Sequence, residues 1–125
     1  MKSELLVCEF WRLMGTNDFH SVGQVLAPDF VLERPQSKER IRGGERFARV
    51  NAEYPSRGPW QFQINRLVAS EATVVTHVSV SDGTQSAEAI SFFTVEHGRI
   101  TRLVEYWPEP YSAPANRAQL VEPMA

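Results

Sequence analysis

The stretch ITRLVEYWPEP, residues 100–110, decides how this chain folds. It reads as a β-strand, yet it sets Glu105 among Leu103, Val104, Tyr106 and Trp107. One face of such a strand carries Thr101, Leu103, Glu105 and Trp107, and the other carries Ile100, Arg102, Val104 and Tyr106. Both faces are mixed, so a period of two does not say which one is inward. Two readings stand side by side. Glu105 is a strand-end carboxylate, in water or paired with an arginine, or it projects into an apolar cavity. Burial in apolar surroundings disfavours the charged form of a carboxyl group, which is how such a group comes to serve as a general acid or base near neutral pH.

Working outward, the same period recurs upstream. Trp60, Phe62 and Ile64 alternate with Gln61, Gln63 and Asn65, and Thr73 to Val80 is largely β-branched. SDGT (81–84) is a hairpin turn, Ala87 to Val95 another strand, and EHGR (96–99) the turn into the last one. The first half follows a different period. Leu6, Phe10, Leu13 and Val7, Trp11, Met14 recur at spacings of three and four, which predicts a helix over 3–14 with Ser3 as N-cap and Gly15 as its stop. On that helix Cys8 reads as a buried structural thiol. Asp18 caps a second, short helix that ends before Pro28, and DFVLERP (29–35) is a short strand. QSKERIRGG (36–44) reads as a solvated loop whose glycines make a tight turn into a third helix, roughly Glu45 to Tyr54, with Phe47, Val50 and Tyr54 on one face.

Helices first and hairpin-linked strands afterwards make an α+β domain, with helices packed on one face of a curved sheet. Such a layering can enclose a cavity. The domain spans residues 1–110, and residues 111–125 form a Pro-rich tail that can drape over the body or over a partner subunit.

The bulk properties narrow the function. A chain of 125 residues makes one domain, and a formal charge of −2 offers no basic face for nucleic acid or an anionic membrane. No apolar run approaches the ~18 residues of a membrane span. One cysteine, Cys8, excludes an intrachain disulfide and fits a cytoplasmic setting. His20, His77 and His97 lie far apart, without metal-ligand spacing, so no metal site is expected. There is no phosphate-binding loop, dinucleotide fingerprint or serine nucleophile elbow, and no cofactor is expected.

The chain resembles the SnoaL-like group of the nuclear-transport-factor-2-like superfamily. The resemblance rests on the opening helix, on NDFHSVGQVLAPDFVLERP (17–35), on IRGGERFARV (41–50) and on FFTVEHGRITRLVEYWPEP (92–110), and it runs from about residue 5 to 109. It implies a cone-shaped barrel of a curved, mostly antiparallel sheet wrapped around N-terminal helices, commonly a homodimer through the sheet's outer face. Activities in the superfamily include polyketide cyclisation, ketosteroid isomerisation, dehydration and epoxide hydrolysis, and other members are non-catalytic. In limonene-epoxide-hydrolase-like members the closing strand reads acid, Tyr, aromatic with the acid facing the pocket, and Glu105, Tyr106 and Trp107 match position by position.

The departures matter as much. Those hydrolases set an arginine and an aspartate on the preceding strand, whereas TVVTHVS (73–79) has neither. The isomerase pattern has a tyrosine on the first helix, where this chain has Phe10 and Trp11. The candidate catalytic residues are therefore Glu105 as acid/base and His77 as its partner across neighbouring strands. His77 shares a face with Thr73, Val75 and Ser79, either solvated or inward. Trp11, Tyr54, Phe62, Phe92 and Trp107, with Phe47, line a pocket for a small hydrophobic molecule or are simply core. Glu33 reads as exposed. The resulting expectation is a cofactor-independent acid/base enzyme (isomerase, cyclase, dehydratase or hydrolase) or, alternatively, a non-catalytic ligand-binding or dimerisation module.

Overall fold

Six residues of the first helix share its apolar stripe, and burying that stripe sets the architecture. The computed structural model describes residues 2–124. Helix α1 (Ser3–Gly15) buries Leu6, Val7, Phe10, Trp11, Leu13 and Met14, which leaves Cys8 on its exposed side, not in the core. Ser3 is the first helical residue and not the cap; Lys2 precedes it without a side-chain capping bond. A 3₁₀ helix (Phe19–Val25) follows, then β1 (Leu26–Arg34), β2 (Glu39–Arg42) and α2 (Gly44–Ala52). Strands β3 (Gln61–Ser70), β4 (Thr73–Ser81), β5 (Ser86–Glu96) and β6 (Arg99–Tyr106) run as hairpins, and a last 3₁₀ turn covers Ala115–Leu120.

The strands form one sheet in the order β2-β1-β6-β5-β4-β3. Neighbours are antiparallel except β1 and β6, which run parallel. The helices cover the concave face, and one continuous core joins them to it through Phe10, Phe47, Phe93, Leu32, Ile100 and Leu103. The sheet is curved but not closed, so it is a cone open along its edges.

Two elements differ from the sequence reading. The segment expected as a loop contains β2, which pairs with Val31–Arg34 of β1. Its sequence, ERIR, has one half-buried residue, Ile41, among charges. An edge strand needs no more than that, and its charges discourage pairing with a foreign strand. Strand β1 starts at Leu26, before Pro28, and its register with β6 shifts between Leu26 and Val31. A bulge is where a strand tolerates a proline that cannot donate to the ladder.

The β5–β6 turn places His97 and Gly98 at φ 51° and 72°. Two consecutive positive φ values are the geometry of the tight two-residue hairpin, which fixes the register of the last strand.

Candidate functional site

A bulge in β6 explains why its faces look mixed. The β5–β6 register pairs Thr94 with Arg102 and Val95 with Ile100, so Thr101 is the extra residue. Ile100 points inward before the bulge, and Leu103 and Glu105 point inward after it. Glu105 is 6% exposed. Its Oε1 accepts hydrogen bonds from Arg34 Nε at 2.8 Å and from Trp107 Nε1 at 3.0 Å. Arg34 is the last residue of β1, mostly buried, and parallel pairing sets it beside Glu105. Both readings of the sequence thus hold in part: the carboxylate is inward, and an arginine pairs with it. Among the described residues no hydrogen bond reaches Glu105 Oε2.

The inward row continues across the sheet. Ser91 lies opposite Glu105, and Thr76 opposite Ser91. Thr76 Oγ1 accepts from Trp11 Nε1 at 3.2 Å, tying α1 to the sheet. Arg34, Glu105, Ser91 and Thr76 make a polar band across four adjacent strands within an otherwise apolar interior.

Next to that band, between α1, α2 and the sheet, lies a cavity of about 280 Å3. This is near the lower end of the ~300–1,000 Å3 range of small-molecule sites. Its walls include Phe10, Trp11, Tyr54, Trp60, Phe62 and Trp107, with Arg34, Asn51, Gln85, Glu105 and Glu109 as its main polar groups. All three tryptophans of the chain face it.

The mouth is held by backbone clamps. Asn17, at φ 62°, accepts from the Trp60 N–H at 2.7 Å and donates to the Trp60 carbonyl at 2.8 Å, as a paired strand residue would. Gln36 Oε1 accepts from the Trp107 N–H at 2.6 Å. Beside Trp60, the buried Asp82 carboxylate accepts from the backbone N–H groups of Arg57, Gln85 and Thr84 and from the Gln85 amide. Those donors, the Arg57 N–H foremost, hold its carboxyl far below the usual carboxylate range. Gly58 passes so close that a Cβ there would meet the Asp82 carbonyl oxygen at 3.0 Å.

Of the residues expected at the site, Trp11, Tyr54, Phe62, Trp107 and Glu105 line this cavity. His77 and Phe92 do not. Strand β4 buries Val74, Thr76, Val78 and Val80, so His77 faces outward, where its Nε2 meets Glu88 Oε1. It cannot partner Glu105 through the sheet. Phe92 alternates with the inward Ser91 and Phe93 and stands on the outer face against Tyr106. Glu33 is also on the outer face, paired with Arg102 and Arg40; the Arg102 hydrogen bond is the main cause holding its carboxyl below the usual range. The sequence reading missed Arg34, Thr76, Ser91 and Asp82. Arg34 had one signal: it ends a strand whose apolar members, Phe30 and Leu32, alternate into step with it.

The model of the SnoaL-like domain family matches residues 7–103. The chain is 30% identical to a candidate ketosteroid isomerase from Kribbella flavida, with a TM-score of 0.89 over 98% of this chain and 90% of that one. An epoxide hydrolase of the limonene-epoxide-hydrolase type from M. tuberculosis is 28% identical, with a TM-score of 0.68 over 85% and 82% of the two chains. A candidate polyketide cyclase from Sinorhizobium meliloti shares the fold at 20% identity and a TM-score of 0.67 over 80% and 92%. No curated protein matches the chain. No helix among the described residues is long and apolar enough to cross a membrane.

Proposed function

We propose a function from one premise, that this chain belongs to the SnoaL-like domain family. Isomerases, cyclases and epoxide hydrolases share that fold. The cavity takes a small, mostly apolar molecule carrying one oxygen function, seated with that oxygen at the Arg34–Glu105 end. Glu105 exchanges the proton and the Arg34 guanidinium stabilises negative charge developing on the oxygen, in a reaction that needs no cofactor. The observation that carries this reading is a buried carboxylate with an arginine partner in the wall of an aromatic cavity. Arg34 takes the partner's place expected of His77, and it offers charge stabilisation where an imidazole would have offered a second proton shuttle.

A specific observation keeps a second reading alive. No His, Cys or Lys lines the cavity among the described residues, and Glu105 Oε1 is already doubly hydrogen-bonded. A non-catalytic binding module needs nothing more. Tryptophan fluorescence separates the readings, because every tryptophan faces the cavity. A ligand found by quenching is offered to the parent and to Glu105→Gln. Conversion by the parent with at least ~100-fold loss in the variant, at similar quenching, marks an enzyme. Binding without conversion by either leaves the module.

We further propose that two copies pair through the outer face of the sheet, in a cytoplasmic setting. Ile90, Phe92, Val104 and Tyr106 line an open groove there, with Phe92 and Tyr106 exposed.

A further inference from the structure

Beyond Glu109, the last residue to line the cavity, the chain makes an arm with no seat on its own body. Every described residue from Pro108 to Met124 is exposed. The arm's backbone bond, Arg117 N–H to the Pro114 carbonyl, is internal, and no hydrogen bond joins residues 110–124 to the rest of the described chain. Yet the arm is not polar. Tyr111 is 83% exposed, Leu120 80%, Val121 52% and Met124 98%. Large apolar side chains left in water along one segment mark a surface that meets another surface.

Two further observations say which surface. The match to the Kribbella flavida crystal structure covers 98% of this chain, which leaves only two or three residues outside it, so the match extends into the arm. An arm that is part of the shared chain yet lacks support from its own body finds that support in a partner surface. The second observation is the root of the arm. Pro108 lines the outer-face groove together with Gln36, Ile90, Phe92, Val104 and Tyr106. In a two-fold pair whose axis passes through this groove, each groove lies against its counterpart, so each arm root stands beside the other copy's groove.

We infer that the arm, residues 110–124, crosses to a second copy and lays Tyr111, Leu120 and Val121 along that copy's apolar outer face. Each copy thus holds the other with its own C-terminus. The inference rests on the outer-face pairing proposed above.

The test uses the full chain. Sedimentation velocity over a dilution series gives the dimer dissociation constant of the parent and of a Tyr111→Ser/Leu120→Ser/Val121→Ser variant, whose changes lie outside the core. Exchange of the arm predicts that the variant's constant rises by about tenfold or more. A photo-crosslinking residue at Leu120, in an equal mixture of heavy- and light-isotope chains, then reports its neighbour. Mixed-isotope crosslinks to peptides carrying Phe92 or Tyr106 support the exchange. Crosslinks confined to one chain, or an unchanged constant in the variant, overturn the exchange and leave the pairing intact. A parent that stays monomeric at every concentration overturns the pairing and the exchange with it.

Discussion

Arg34 and Glu105 lie 71 positions apart and meet across the parallel β1–β6 pair, with Nε donating to Oε1 at 2.8 Å. The contact joins the first strand of the domain to its last. It ties the fold together at the place where the proposed chemistry would sit. Removing one partner strands the other, a charge with little water to relieve it.

Glu105→Ala should therefore destabilise the fold by about 2–4 kcal/mol, while the double change Arg34→Leu/Glu105→Leu should cost less than the sum of its single changes. Urea unfolding of the four proteins of this cycle measures the coupling. Strict additivity would show that the pair contributes nothing as a pair.

Thr76→Val keeps the shape of the side chain and removes the acceptor for Trp11 Nε1. A buried indole N–H without a partner costs about 1–3 kcal/mol, and Thr76→Ser, which keeps the oxygen, should cost less. Equal losses for the two variants would assign the effect to packing and not to the hydrogen bond.

Asp82 makes a pH prediction. Its carboxyl is held below the ordinary range by the donors that clamp the cavity rim, the Arg57 N–H first among them. Protonation therefore favours the unfolded chain. The contribution is complete above about pH 5 and declines as the pH falls below about 4. Thermal melts from pH 7 to pH 3 should fall more steeply for the parent than for Asp82→Asn, which starts lower. Parallel curves would contradict the assignment.

His77→Ala separates the two faces of the sheet. The His77–Glu88 pair is partly solvated, and its loss should change stability by no more than about 1 kcal/mol. Cavity binding, read by tryptophan quenching, should not move. A clear loss of binding would place His77's influence on the inner face, against the alternation of β4.

Much of the architecture was legible because it rests on periodicity. The stripe of α1, the β-branched run of β4 and the two hairpin turns each report local geometry, and local geometry is what spacing encodes. What failed to show is equally physical. One extra residue at Thr101 reverses the inward face midway along β6, so no single alternation fits the strand. β2 is an edge strand of charges around Ile41, and such a strand has almost no apolar period to detect. His77 and Phe92 were placed at the cavity because side-chain type suggested a site, but their facing follows from Thr76, Ser91 and Phe93, polar or apolar neighbours that are wholly buried. Arg34 needed a partner 71 residues away before its pairing could be seen.

The place of β6 in the sheet governs how the chain can be made. Its neighbours are β1 and β5, so the last strand to leave the ribosome is the one that joins two halves otherwise unconnected through backbone pairing. Until it emerges, β1 and β2 form an isolated hairpin, and the β3–β5 meander presents a long unpaired edge. A stop codon ahead of Arg99 would not shorten this domain at its margin. It would cut the sheet in two at its middle, leaving nascent strands that seek other partners.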